Sequence, residues 1–301
     1  MTKKDYFDWE AVKVKSSFSK KYVSLAEAIE KGCNDLGMLF RLWQIAQMCE
    51  TDPKSSSFPN LSLAKCSDLT FSNTFASSFC PDGFLKKEET LKKKSEEKSD
   101  GAPGVPILFI CRESNISGCI KEGPEKGTKE IVGNIGQEKG DEPLFWLREV
   151  VNCKAEGHYF ENGAEPSTPE KTAQTKYYNC LKKLLCDLNK QGLIDENVEP
   201  SNCAYLNINK RGGFSICDQS KLAVYAERYH LFIQKEISII HPMHIVVCGE
   251  LNNDDLRETM ESILHACGYQ EYWVYPKHPS RYTKDVVPKE VKLSKRSKAR
   301  I

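Results

Sequence analysis

Four short stretches of the chain combine residue types that do chemistry. They are Arg112-Glu113-Ser114-Asn115, Asn207-Ile208-Asn209-Lys210, Cys248-Gly249-Glu250 and Lys277-His278-Pro279-Ser280-Arg281. Each follows or ends a short apolar run. A carboxylate such as Glu113 can take a proton or stabilise positive charge. A carboxamide such as Asn207 offers a donor and an acceptor together. An imidazole such as His278 can donate a hydrogen bond to a developing negative charge. None of this matters unless the fold brings the four stretches to one place.

The apolar runs are the elements that would do so. Ile107 to Cys111 is continuous, as a strand buried on both faces requires. Cys203 to Ile208, Ile245 to Cys248 and Tyr272 to Tyr275 are the other three. Helical patterns lie between them. Thr168-Pro169-Glu170 has the composition of a helix start, with Tyr177, Leu181, Leu184, Leu185 and Leu188 on one face. Leu222 to Ile240 is expected as a second helix. Asp254 to Cys267 is a third, with Gly268 as its stop. Strands alternating with helices predict a three-layer α/β sandwich around a central, mostly parallel, four-stranded sheet. In such folds ligands bind outside the carboxyl ends of the strands. That rule alone picks out the four polar stretches.

The chain upstream reads differently. Ser24 and Glu27 have capping-box spacing, and Leu25, Ile29, Cys33, Leu36, Phe40 and Trp43 follow at helical intervals. Residues 51–84 read as irregular, and Lys86 to Asp100 is a mixed-charge linker leading to Gly101-Ala102-Pro103-Gly104. Residues 121–142, rich in glycine and charge, are expected as a long loop. The expected organisation is an N-terminal helical and irregular extension over 1–104, an α/β domain over 105–288 and a basic tail over 289–301.

Composition bounds the function classes. The chain has 301 residues, 40% hydrophobic and 28% charged, with net charge +1, which fits a soluble globular protein. From Arg281 to Ile301 there are eight Lys or Arg against two Asp or Glu, a distribution that attracts polyanions. No run of 18 apolar residues occurs, so no membrane span or membrane partner is expected. The first residues lead into no apolar core of signal-peptide length. Thirteen cysteines show no C-x-x-C pair, and several lie in apolar runs. They read as mostly free thiols of a reducing, intracellular compartment: cytoplasmic, or nuclear in a eukaryote. No metal and no cofactor are expected. No G-x-G-x-x-G or P-loop is present for a dinucleotide or triphosphate.

The order and placement of these stretches resemble the uracil-DNA glycosylase superfamily. Cys111-Arg112-Glu113-Ser114 stands where the family has its first motif, with Cys111 in the place of a glycine and Ser114 in the place of a proline. Asn207-Ile208-Asn209-Lys210 resembles its N-x-x-K pattern. His278-Pro279-Ser280 resembles its second motif. The resemblance covers roughly residues 105–285. It implies hydrolysis of the N-glycosidic bond of uracil or a related deaminated base in DNA, with the base extruded or the substrate single-stranded. Glu113 and His278 would be catalytic. Asn207 would read the base edge, with Phe145 or Trp146 stacking on the base. Ser280, Arg281, Tyr282 and Lys210 would contact DNA. The alternative is a protein that keeps this fold but binds nucleic acid or a partner without catalysis. A third reading is another α/β enzyme acting on nucleosides or nucleotides.

Overall fold

The computed structural model describes residues 6–16, 21–50, 82–85, 104–115, 120–122, 129–131, 169–213, 217–277, 286 and 288–293. It is α/β. Strands β1 (Gly83–Phe84), β2 (Val105–Asn115), β5 (Ala204–Gly213), β6 (Pro242–Cys248), β7 (Glu271–Tyr275) and β8 (Lys289–Lys292) form one sheet in the order β1-β5-β2-β6-β7-β8. Neighbouring strands β5, β2, β6 and β7 run parallel, and both edge strands are antiparallel to their neighbours. The sheet is therefore six-stranded and mixed, not the four-stranded sheet expected. Two very short or charged segments supply the extra strands. β8 takes Lys289–Lys292 from the stretch expected to be a tail; residues 294–301 lie outside the described residues, as does the linker 86–100. A hairpin of β3 (Ile120–Glu122) and β4 (Lys129–Ile131) stands where a loop was expected.

The strand interiors alternate between two cores. Leu108, Ile110, Ala204, Leu206, Ile208, Ile245 and Val247 face one side; Ile107, Phe109, Cys111, Tyr205, Val246, Cys248 and Tyr275 face the other. Burial on both faces explains why the central runs are continuously apolar. The second face is covered by α4 (Pro169–Lys190) through Leu181, Leu184, Leu185 and Leu188, as its spacing predicts. The first face is covered by α5 (Gln219–Arg228), α6 (His230–Ile240) and α7 (Asp254–Ala266). The single helix expected over 222–240 is thus two, broken at Tyr229, whose ring is fully buried against Tyr225 at 4.4 Å. α7 is capped by Asn253, whose side chain accepts from Leu256 N–H, and Gly268, with φ +90°, follows its end.

The N-terminal helices α1 (Trp9–Lys15), α2 (Leu25–Glu27) and α3 (Leu36–Met48) belong to the first core. The Ser24–Glu27 spacing does form a cap: Glu27 N–H donates to Ser24 Oγ at 3.2 Å, and the Glu27 carboxylate accepts from Val23 N–H at 2.9 Å. The helix is short because a π-helical turn, Ala28–Gly32, follows at once. Trp43 of α3 is fully buried and stacks on Phe232 of α6 at 5.1 Å.

Among the described cysteines, Cys33, Cys49, Cys186, Cys203, Cys248 and Cys267 are free thiols, and Cys186 alone of these six is exposed. Burial pushes the Cys33 thiol up to about 12 and also raises those of Cys203 and Cys248. Alkylation of the folded protein at pH 8 is therefore expected to modify Cys186 well before Cys33, Cys203 and Cys248, as mapped by peptide mass spectrometry. Equal rates would contradict this packing.

Candidate functional site

Among the described strands, the connections change direction between β2 and β6. From β2 the chain crosses to β5 by α4 on one face. From β6 it crosses to β7 by α7 on the other. Adjacent strands β2 and β6 thus send their connections to opposite faces. At such a switch point the loops diverge and leave an opening at the carboxyl ends of the strands.

The residues at that edge form rows across the sheet. Cys111 of β2 is in register with Asn207 of β5, and Cys248 of β6 with Tyr275 of β7. Cys111 and Cys248 each follow the Ile110–Val247 pair of β2 and β6, which joins the two pairs into one row. Two residues farther on, Glu113 is in register with Asn209. Asn207 and Asn209 are both buried. On the other face, Arg112 crosses Gly249 and donates from Nη2 to the Glu250 carbonyl at 3.2 Å. Gly249 has φ +95°, which favours glycine, and a Cβ there would stand 2.6 Å from Arg112 Nη2, so the guanidinium would have to shift. Gln219, at the start of α5, donates to the same Glu250 carbonyl at 3.0 Å and accepts from Asn252 and Asn253 N–H. That side chain ties the start of α7 to the start of α5.

Beneath the edge lies a buried ion cluster that sequence reading missed. Asp82, just before β1, accepts from Lys210 Nζ and from Asn207 N–H. The same ammonium lies 3.0 Å from Glu236 Oε1 and 2.9 Å from Oε2. The side chains of all three residues have 0% exposure, which removes water as a competing partner. Lys210 Nζ also sits 5.2 Å from the Trp43 ring and 5.3 Å from Phe40, within cation–π range. Lys210 N–H donates to Tyr225 Oη at 3.3 Å, and Tyr225 Oη donates to Gln47 Oε1 at 2.6 Å. The N-terminal helix α3 is thereby bound to the end of β5. A second buried pair, Arg228 with Glu50 at 3.1 Å, lies on the same side.

Lys210 must therefore be withdrawn from the DNA-contacting residues. It has no exposed surface, and its charge is taken by two carboxylates, so it cannot meet a phosphate at the surface. Strand period 2 carried the signal: Lys210 shares a face with Leu206 and Ile208, which are core. The same period pairs Asn209 with Asn207. Asp82 and Glu236 gave no local signal, lying 128 and 26 residues from Lys210. Of the other expected site residues, Asn207 and the backbone of Glu113 come together at the sheet edge. β7 ends at Tyr275 on the same edge, and Lys277 is the last described residue before His278. His278, Ser280, Arg281, Tyr282, Phe145 and Trp146 lie outside the described residues.

Burial raises the Glu236 carboxyl well above its ordinary range, the Asp82 carboxylate adds to this, and the Lys210 ammonium opposes it. A carboxyl whose folded value is raised keeps its proton longer in the native state. The unfolding free energy then falls as pH rises from about 4.5, the ordinary value, toward the folded one. Glu236→Gln mimics the protonated acid and is expected to flatten that fall. Urea unfolding of wild type and E236Q at pH 4.5 and 7 reads the difference. Identical losses over that interval would contradict the cluster's assignment.

No family model, curated protein or solved structure matches this chain. Among the described residues, no group of three or more His, Cys, Asp or Glu could hold a metal ion, and no helix is long and apolar enough to cross a membrane.

Proposed function

We propose that the chain is a DNA glycosylase of the uracil-DNA glycosylase type, with its base pocket at the carboxyl edge of the sheet. The observation that carries this reading is the row of strand ends. Four adjacent parallel strands end side by side, with Glu113 beside Asn209, Asn207 one row below, and β7 running toward His278. β2 and β7 are two strand spacings apart, ~10 Å, with β6 between them, so groups carried from their ends could reach opposite sides of one nucleobase. The switch point between β2 and β6 supports the same location.

In this reading the base leaves the stack and enters the edge crevice. The Asn207 carboxamide pairs with an acceptor and a donor on the base edge. The N-glycosidic bond breaks with its electron pair going to the base. His278 donates a hydrogen bond to the oxyanion that develops there. Water adds to the sugar carbon and gives its proton to Glu113. Phe145 or Trp146 stacks on the base, and Ser280, Arg281 and Tyr282 hold the strand. The substrate is DNA carrying uracil or a related deaminated base, and the pathway class is base-excision repair.

A second reading rests on Cys111. It is fully buried in the same core cluster as Cys248, which makes this position part of the core rather than an open turn. A protein built so could hold nucleic acid or a partner without hydrolysis. The two readings separate in one assay. Labelled single-stranded and duplex DNA bearing uracil or hypoxanthine is incubated with the protein, then treated with alkali. Alkali-labile cleavage at the modified base is the expected result. Binding with no cleavage supports the second reading, and neither binding nor cleavage contradicts both.

A further inference from the structure

Strand β5, next to the edge strand β1, ends in an unusual way. β1 is only two residues long, and its ladder with β5 runs from Phe84↔Ala204 to Gly83↔Tyr205. Leu85 N–H extends it to the Cys203 carbonyl at 3.1 Å. Period 2 makes Asn207 N–H the next group on that side of β5, and no further residue of β1 reaches it. The Asp82 carboxylate takes its place as acceptor. Its other oxygen accepts from Lys210 Nζ, three residues farther along the same strand. One carboxylate thus grips β5 at Asn207 and again at Lys210, with Asn209 between them.

A carboxylate that served only to neutralise Lys210 would not need the Asn207 amide. Lys210 already has Glu236 within 3.0 Å, and the two rings of Phe40 and Trp43 near its ammonium. The bond to Asn207 N–H instead fixes the strand at the residue assigned to read the base. Small displacements there matter, because a misplacement of about 1 Å at a reacting centre can cost roughly 100-fold in rate.

We infer that Asp82 is a positioning residue of the candidate site, holding the carboxyl end of β5 so that Asn207 keeps its place beside Cys111. The inference rests on the glycosylase reading for its functional consequence, and on the backbone bond for its structural one. Asp82 does not touch substrate in this account.

The test uses the full chain with Asp82→Ala, which removes both acceptors, and Asp82→Asn, which keeps the shape and one acceptor. In both variants Glu236 remains as counterion for Lys210. Two readouts are taken: excision of uracil from a single-stranded oligonucleotide under saturating and limiting substrate, and hydrogen exchange of the Asn207 backbone amide relative to Leu206. The expected result is a fall in kcat of about tenfold or more for D82A with KM nearly unchanged, partial rescue in D82N, and selectively faster exchange at Asn207. Unchanged kcat per folded molecule in D82A overturns the inference, whatever happens to Tm. If the wild type does not excise uracil, the glycosylase reading fails and the exchange decides alone. Selective loss of protection at Asn207 then upholds the positioning bond, and unchanged protection overturns it. If D82A does not fold, D82N is judged by the same criteria.

Discussion

Lys210→Met is expected to lower the unfolding free energy by about 3–5 kcal/mol, the usual cost of leaving a buried charge without its partner. Lys210 is one of the largest fully buried side chains, so methionine fills most of its volume. What it cannot replace is the ammonium shared by Asp82 and Glu236. Two acids would then face each other with no exposed surface between them. Replacing all three residues with apolar ones of matched volume should cost much less, because desolvation of the charges offsets much of their attraction. Urea unfolding at pH 7 measures both. A loss under about 1 kcal/mol for K210M would mean that water reaches the cluster.

The second large effect concerns activity. Glu113→Gln, Asn207→Ala and His278→Ala are each expected to reduce base excision by roughly 10²–10³-fold, the range for losing a preorganised donor or proton acceptor. The three should differ in kind. In the proposed mechanism His278 donates a bond made only as charge develops, so its loss is expected to lower kcat and leave KM unchanged. Loss of the Asn207 carboxamide also weakens discrimination between uracil and other bases. Its backbone bond to Asp82 survives the alanine change, which keeps the fold out of the comparison. Unchanged rates in all three variants would remove the site assignment while leaving the activity.

The parts of this fold legible in the sequence are those whose physics is local. The four central strands stand out because burial on both faces forces continuous apolar runs such as Ile107 to Cys111. Helix α4 is legible from its leucine spacing, and the Ser24–Glu27 cap from its residue types. The edge strands were not legible. Lys289-Glu290-Val291-Lys292 is charged and mostly exposed, as edge strands often are, and Gly83–Phe84 is too short to carry a period. The break at Tyr229 was hidden because no glycine or proline marks it and apolar spacing runs through on both sides.

The site divides in the same way. The rule that ligands sit at carboxyl strand ends placed Glu113, Asn207 and Cys248 on one edge, and the registers agree. The ion cluster was invisible because its members are brought together only by the completed sheet. Lys210 was misplaced because a lysine at a strand end looks like a surface charge. Only its face, shared with Ile208, tells otherwise. Asn207 at the sheet edge is thus held from below by charge that never reaches solvent.

The most direct test is release of the base itself. DNA carrying isotopically labelled uracil, single-stranded and duplex, is incubated with the full chain, and free uracil is separated and counted over time. Labelled free uracil appearing in excess of the enzyme, and suppressed in H278A, is the predicted result. Intact labelled DNA at every time point, with the protein folded, would contradict the account.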